Sequence, residues 1–149
     1  MAIDVQEATP TAAEYCDLRV VCGLSPMTIE AAEARLPRTL FGVALRDDGR
    51  LVGMGRLVGD GIHVQVVDIV VRPDYQRRGL PRTIMEKIMS YVESSIPECA
   101  VVSLFADVDW LYPKFGFGSP EKSRGMLFKR RPQREAARFS TCLISVFSI

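Results

Sequence analysis

The stretch that most constrains this chain is a strand that runs through a glycine turn straight into a helix. Residues 66–82 read VVDIVVRPDYQRRGLPR: a β-branched run closed by Pro73, then Gly79, then Leu80, Ile84, Met85, Ile88, Met89 and Val92 at helical spacing to about Ser94. A helix that begins at such a turn leaves its first amide groups unpaired, and its aligned peptide dipoles favour an anion there. Gly79 lets backbone approach a ligand closely, and Arg77, Arg78 and Arg82 add positive charge, so a diphosphate fits the pattern. An ordinary turn with solvated arginines has the same residues, so the rest of the chain must decide.

Upstream, residues 2–8 form a short strand with Ile3 and Val5 on one face. Thr9 and Pro10 start a first helix carrying Tyr15, Leu18, Val21 and Cys22, which ends near Gly23; Ser25 and Pro26 start a second, which runs through Leu36 and stops at Pro37. Residues 40–45 and 51–58 flank Arg46, Asp47, Asp48, Gly49 and Arg50, a hairpin connection, and residues 62–71 complete an antiparallel meander. The long helix is a crossover to residues 101–105, a strand parallel to the one before it. Residues 107–114 form a short helix broken by Pro113 and Gly116, and residues 125–129 a last strand. The reading is an α/β (α+β) domain with a mixed, mostly antiparallel central sheet and flanking helices.

The 149 residues suit a single domain, with a core from about 3 to 129 and a basic, then apolar, tail at 130–149. The formal charge of +1 gives no global pull on nucleic acid or anionic lipid, and Lys129, Arg130, Arg131, Arg134 and Arg138 lack the interleaved aromatics of a base-stacking platform. No apolar run approaches a membrane span of about 20 residues, and the first ten residues lack a signal core; a cytoplasmic protein is expected. Cys16, Cys22, Cys99 and Cys142 have no CxxC spacing and His63 is the single histidine, so no metal site is expected and the thiols read as reduced and mostly buried.

The element order, the strand DIVVRP, the turn QRRGLP and the later LYPKFGF together resemble the GNAT superfamily of N-acetyltransferases over residues 3–129. In that family's acyl-CoA motif, Gln76 and Gly79 fill the first Gln and Gly, but Pro81 stands at the final small residue and brings no N–H. The resemblance implies acetyl-CoA as donor. Its pantetheine arm would lie along Ile69, Val70 and Val71, where the strand splays from its parallel neighbour. Its diphosphate would lie on Gln76, Arg77, Arg78, Gly79, Leu80, Pro81, Arg82 and Thr83. Tyr112 would be the acid that protonates the leaving thiolate, as a phenol protonated at neutral pH can; packing against Phe115 and Phe117 is the other reading of that ring.

A base or water chain is expected for the incoming amine. Asp68 is the carboxylate candidate, with a structural tie as the alternative; strict alternation turns His63 and Gln65 away from it, unless a bulge intervenes. Cys99 reads as a small buried hydrophobe. Asp107 and Asp109 suit a cationic substrate, and Phe41 and Trp110 an aromatic or extended amine. Specificity is expected in helices one and two and the connection to Phe41. The expected activity is direct acetyl transfer to a primary amine of a small molecule: an arylalkylamine, a polyamine or an aminoglycoside-like compound. A noncatalytic acyl-CoA-binding module and a protein N-terminal or lysine acetyltransferase are the alternatives. A homodimer is implied by the resemblance alone.

Overall fold

A computed structural model describes residues 2–128; the tail at 130–149, with its basic run, and Cys142 lie outside the described residues. Five strands form one sheet in the order β1 (Asp4–Gln6), β2 (Phe41–Asp47), β3 (Arg50–Gly59), β4 (His63–Val71) and β5 (Val101–Ser103). The first four pair antiparallel, and β5 lies parallel to β4 after the crossover helix α3 (Leu80–Ser95). Helices α1 (Ala12–Val21) and α2 (Ile29–Arg35) cover the other face. The β2–β3 connection tightens to two residues, Asp48 and Gly49, both with positive φ, as a twist-matched hairpin turn requires.

The sheet sorts its side chains between two cores. Val43, Leu45, Leu57, Val64, Val66, Ile69 and Val71 pack with Leu80, Ile84, Met85 and Ile88 of α3. Ala44, Leu51, Met54 and Val70 pack with Tyr15, Leu18 and Cys22 on the α1 side, where α2 adds Ala32. Gly55 marks the tightest approach of α3: a Cβ there would lie 2.4 Å from Ile84 Cγ2 and 2.6 Å from Ile69 Cδ1.

Several boundaries differ from the sequence reading. Thr11, not Thr9, caps α1, because Glu14 completes a reciprocal capping box with it; Thr28, not Ser25, caps α2. Val21 is exposed at the end of α1. Within 107–114 only Tyr112–Phe115 is helical, as a single 3-10 turn, and residues 125–128 form no strand. Cys99 is exposed rather than buried, and Cys16 is half-buried. No helix among the described residues is long and apolar enough to cross a membrane.

Glu14 also ties α1 to the sheet. Both of its oxygens accept from Arg46 of β2, at 2.6 and 3.0 Å. Those bonds, with the Thr11 cap, hold its carboxyl down from 4.5 to about 2. A depressed carboxylate stabilises the fold fully above its unfolded pKa, and that contribution is lost as pH falls from about 4.5 towards 2. Glu14→Gln removes the titration in both states. Its melting temperature should therefore drop less between pH 5 and pH 2.5 than that of the parent protein. Thermal melts followed by circular dichroism at both values check this; an equal drop would show that Glu14 is not linked to folding.

Candidate active site

A bulge in β4 creates the site. Met54 pairs with Val70 and Arg56 with Val67, so Gly55 stands opposite two residues, Asp68 and Ile69. Asp68 takes the left-handed conformation, φ 58°, that the extra residue requires. The alternation therefore changes phase: Val64 and Val66 face α3 before the bulge and Ile69 and Val71 after it. His63 and Gln65 thus share the α1 face with Asp68, against the strict-alternation expectation. Only His63, Val64 and Gln65 pair with β5. Beyond them the strands part, and a cleft of about 220 Å³ opens between residues 66–70 of β4 and Leu104, Phe105, Asp107 and Tyr112, with Arg19 and Leu24 at the α1 end.

The Asp68 side chain is 9% exposed and fully engaged. Its Oδ1 accepts from Arg19 Nη1, and its Oδ2 accepts from Tyr15 Oη and from Arg56 Nε, each at 2.9 Å. Both guanidinium groups also lie over the Tyr15 ring, at 5.5 and 5.3 Å from its centroid. Burial first, and then the Asp68 charge, pushes the Tyr15 phenol above its usual 10. This favours the structural tie for Asp68 over the base: a proton acceptor held by two cations and a phenol has little left to offer an amine.

Tyr112 lies across the cleft and is buried, with its hydroxyl donating to Asp107 Oδ1 at 2.9 Å. Burial, and after it the Asp107 charge and hydrogen bond, hold the phenol well above its ordinary pKa. It therefore stays protonated throughout the neutral and mildly alkaline range. Asp107 is exposed, and its Oδ2 has no hydrogen-bond partner among the described residues. It is the one carboxylate lining the cleft with acceptor capacity to spare.

At the far end of β4 the turn has the form an anion site needs. Arg77 and Gly79 have φ of 63° and 71°, Gly79 precedes α3 with no side-chain cap, and a Cβ on Gly79 would meet nothing within 4 Å. Pro81, buried in the first helical turn, takes a place where no intrahelical N–H bond is required. The amides of Gly79, Leu80 and Arg82 are left without helical partners. Thr83 is spoken for, since its amide donates to Gly79 O at 3.2 Å. Gln76 Nε2 is shielded from solvent and has no hydrogen-bond partner among the described residues, which leaves it free to donate to a ligand. Arg78 is held over the Tyr75 ring at 4.9 Å and Arg82 pairs with Glu86 at 2.8 Å, which leaves Arg77 as the cation of the turn with neither an ion pair nor a ring contact among the described residues. These groups fit a diphosphate.

Three expected site residues lie elsewhere. Phe41 stacks on Tyr91 of α3, with ring centroids 4.5 Å apart, on the opposite face of the sheet from Arg19 and Asp68. Trp110 packs against the α3-side core with its Nε1 buried and without a hydrogen-bond partner among the described residues, and Lys114 Nζ lies 5.7 Å from its ring centroid. Val71 is buried against α3, and its carbonyl accepts from the Cys22 thiol, so the cleft follows residues 66–70 rather than 69–71. Arg19, Leu24, Leu104 and Phe105 were not anticipated. Arg19 carried a signal: it follows Tyr15 by four residues on the buried stripe of α1, where a charge needs a partner.

Residues 10–117 match the family model described as acetyltransferase (GNAT) family. A solved structure from meticillin-resistant Staphylococcus aureus, a protein of unknown function termed a probable acetyltransferase, is 47% identical, with a TM-score of 0.80 over 86% of this chain and 99% of that one. An uncharacterized N-acetyltransferase of Porphyra purpurea is 33% identical over 55% of this chain and 48% of its own length. The chloroplastic serotonin N-acetyltransferase 2 of Oryza sativa subsp. japonica is 36% identical over 58% of this chain and 44% of its own. The chain thus spans about half the length of these two curated relatives.

Proposed function

The chain belongs to the acetyltransferase (GNAT) family, and from that premise we propose that it transfers the acetyl group of acetyl-CoA directly to a primary amine of a small molecule. One observation carries the reading: the strand that leads into an anion-ready helix start is parted from its neighbour, and the cleft along it meets a buried, protonated phenol. In this reading the diphosphate lies on Arg77, Gly79, Leu80 and Arg82, with Gln76 as a further donor. The pantetheine arm pairs with the backbone that β4 exposes along residues 66–70.

The donor supplies an activated acetyl group on sulfur. The amine nitrogen bonds to the acetyl carbon, the carbon–sulfur bond breaks, and the sulfur receives the Tyr112 proton. Asp107 orients the Tyr112 hydroxyl and its free oxygen draws the substrate ammonium, which gives one proton to solvent to become the free amine; as that amine attacks, the second proton it loses returns by way of Asp107 to the Tyr112 oxygen. Asp68 is a positioning residue in this scheme, fixing the bulge and α1 through Arg19, Arg56 and Tyr15.

The test is a free-thiol assay with acetyl-CoA against a broad panel of small primary amines, with the products identified by mass spectrometry. Thiol release matched by an N-acetylated product is the expected result. Tight acetyl-CoA binding without turnover on any amine would instead support the noncatalytic module.

A further inference from the structure

Arg19 has more hydrogen-bonding capacity than its role in the fold consumes. Its side chain is more than nine-tenths buried and borders the cleft. Nε donates to Ser25 O at 2.8 Å and Nη1 serves Asp68 and Tyr15, but Nη2 has no hydrogen-bond partner among the described residues. Nor is its charge fully matched. Two guanidinium groups, Arg19 and Arg56, share the single carboxylate of Asp68. The other acids of α1 are committed elsewhere, Glu14 to Arg46 and Asp17 to Arg72. A mostly buried guanidinium with an open donor at the wall of a cleft is a ready partner for an anion.

The donor does not meet that need. The diphosphate turn opens α3, which covers the opposite face of the sheet from α1 and Arg19. What remains for the α1 side is the acceptor. Across the cleft stands Asp107, whose spare oxygen suits an ammonium group. Apart from Asp68, which Arg19 already holds, the remaining side chains outside β4 that line the cleft are apolar or the Tyr112 phenol, with Leu24, Leu104 and Phe105 among them. Taken together, the cleft is polarised, with a cation at the α1 wall and an anion beside Tyr112.

Resting on the acetyl-transfer reading above, we propose that Arg19 determines acceptor specificity, and that the acceptor is an amine carrying a carboxylate, its amine towards Asp107 and its carboxylate on Arg19 Nη2. A polyamine would bring a second cation to a wall that is already positive. An arylalkylamine would leave the guanidinium unmet. An amino acid or a short ω-amino acid satisfies both walls at once.

The test uses matched acceptors with the intact protein: phenylalanine and leucine, their carboxamides and their decarboxylated amines, together with ω-amino acids of three to six carbons and their carboxamides. At least one acid should exceed its carboxamide and its plain amine by about tenfold or more in kcat/KM, the range of a charge-assisted hydrogen bond. In Arg19→Gln that preference should collapse to within about twofold while the KM for acetyl-CoA is nearly unchanged. Arg19→Lys, which keeps the charge and strains the fold less, should retain part of it. Plain amines acetylated as well as or better than their acids by the parent protein would overturn the proposal and leave the acetyl-transfer reading standing. An equal loss of kcat on all acceptors in Arg19→Gln would overturn it too, since Arg19 would then serve the reacting centre. Failure of every amine would remove the acetyl-transfer reading and this proposal with it.

Discussion

Replacing Gly79 with glutamate is expected to weaken acetyl-CoA binding by more than about 100-fold. Gly79 has φ 71° and open space where a side chain would begin, so a longer residue projects into the mouth of the turn. The amides of Gly79, Leu80 and Arg82, which have no helical partners, lie in that same turn. A carboxylate about 5 Å from a diphosphate, at an effective dielectric of about 20, costs about 3 kcal/mol per phosphate charge, and each 1.4 kcal/mol is a factor of ten. Gly79→Ala separates charge from backbone strain. It adds only the left-handed penalty of about 1–2 kcal/mol to folding and should bind within a few-fold of the parent. Titration calorimetry of both folded variants decides the matter. Ordinary affinity in Gly79→Glu would mean that the diphosphate lies elsewhere.

The parts of the fold legible in the sequence were those governed by local rules. Asp48 and Gly49 specify a tight hairpin turn because few other residue pairs accept two positive φ angles. The apolar stripe of α3 is read directly from Leu80, Ile84, Met85 and Ile88. The turn from Gln76 to Gly79 and the phenol of Tyr112 were legible through the resemblance they carry. Two of the misplacements share one cause, which is that period-two patterning does not reveal which face of a sheet a residue joins. Phe41 looked available to a substrate, but its register opposite Leu57 sends it to α3 and Tyr91. Asp68 sits in a bulge that reverses the alternation of β4, and its partners Tyr15 and Arg19 lie 53 and 49 residues away. Trp110 was expected to suit an aromatic or extended amine, beside a helix expected through 107–114. Since that helix is reduced to one turn at Tyr112–Phe115, the indole folds back onto the core. Only the assembled sheet shows that α1 supplies a charged wall to the cleft.

Tyr112→Phe should lower turnover by about 100-fold or more while changing acetyl-CoA affinity by no more than about twofold, since acid–base catalysis by one placed group contributes factors of about 10² to 10⁴. The substitution keeps the ring that packs beside Leu111 and removes only the hydroxyl that donates to Asp107. An unchanged affinity with a lowered kcat is the signature of an interaction made only as the reaction proceeds. The pH profile adds a second constraint. Burial and Asp107 raise the Tyr112 pKa above the ordinary 10, so the protonated form persists through pH 9.5, and kcat of the parent protein should show no alkaline fall from this group in that range. A tyrosine acting as an acid from an exposed position would lose its proton near 10 and show the onset of such a fall. Asp107→Asn gives the matching result from the other side: losing the charge that helps raise the phenol brings its pKa down and shifts any alkaline limb to lower pH. Turnover in Tyr112→Phe equal to the parent at every pH, in a variant with an unchanged melting temperature, would return Tyr112 to a packing role and leave the thiolate to take its proton from water.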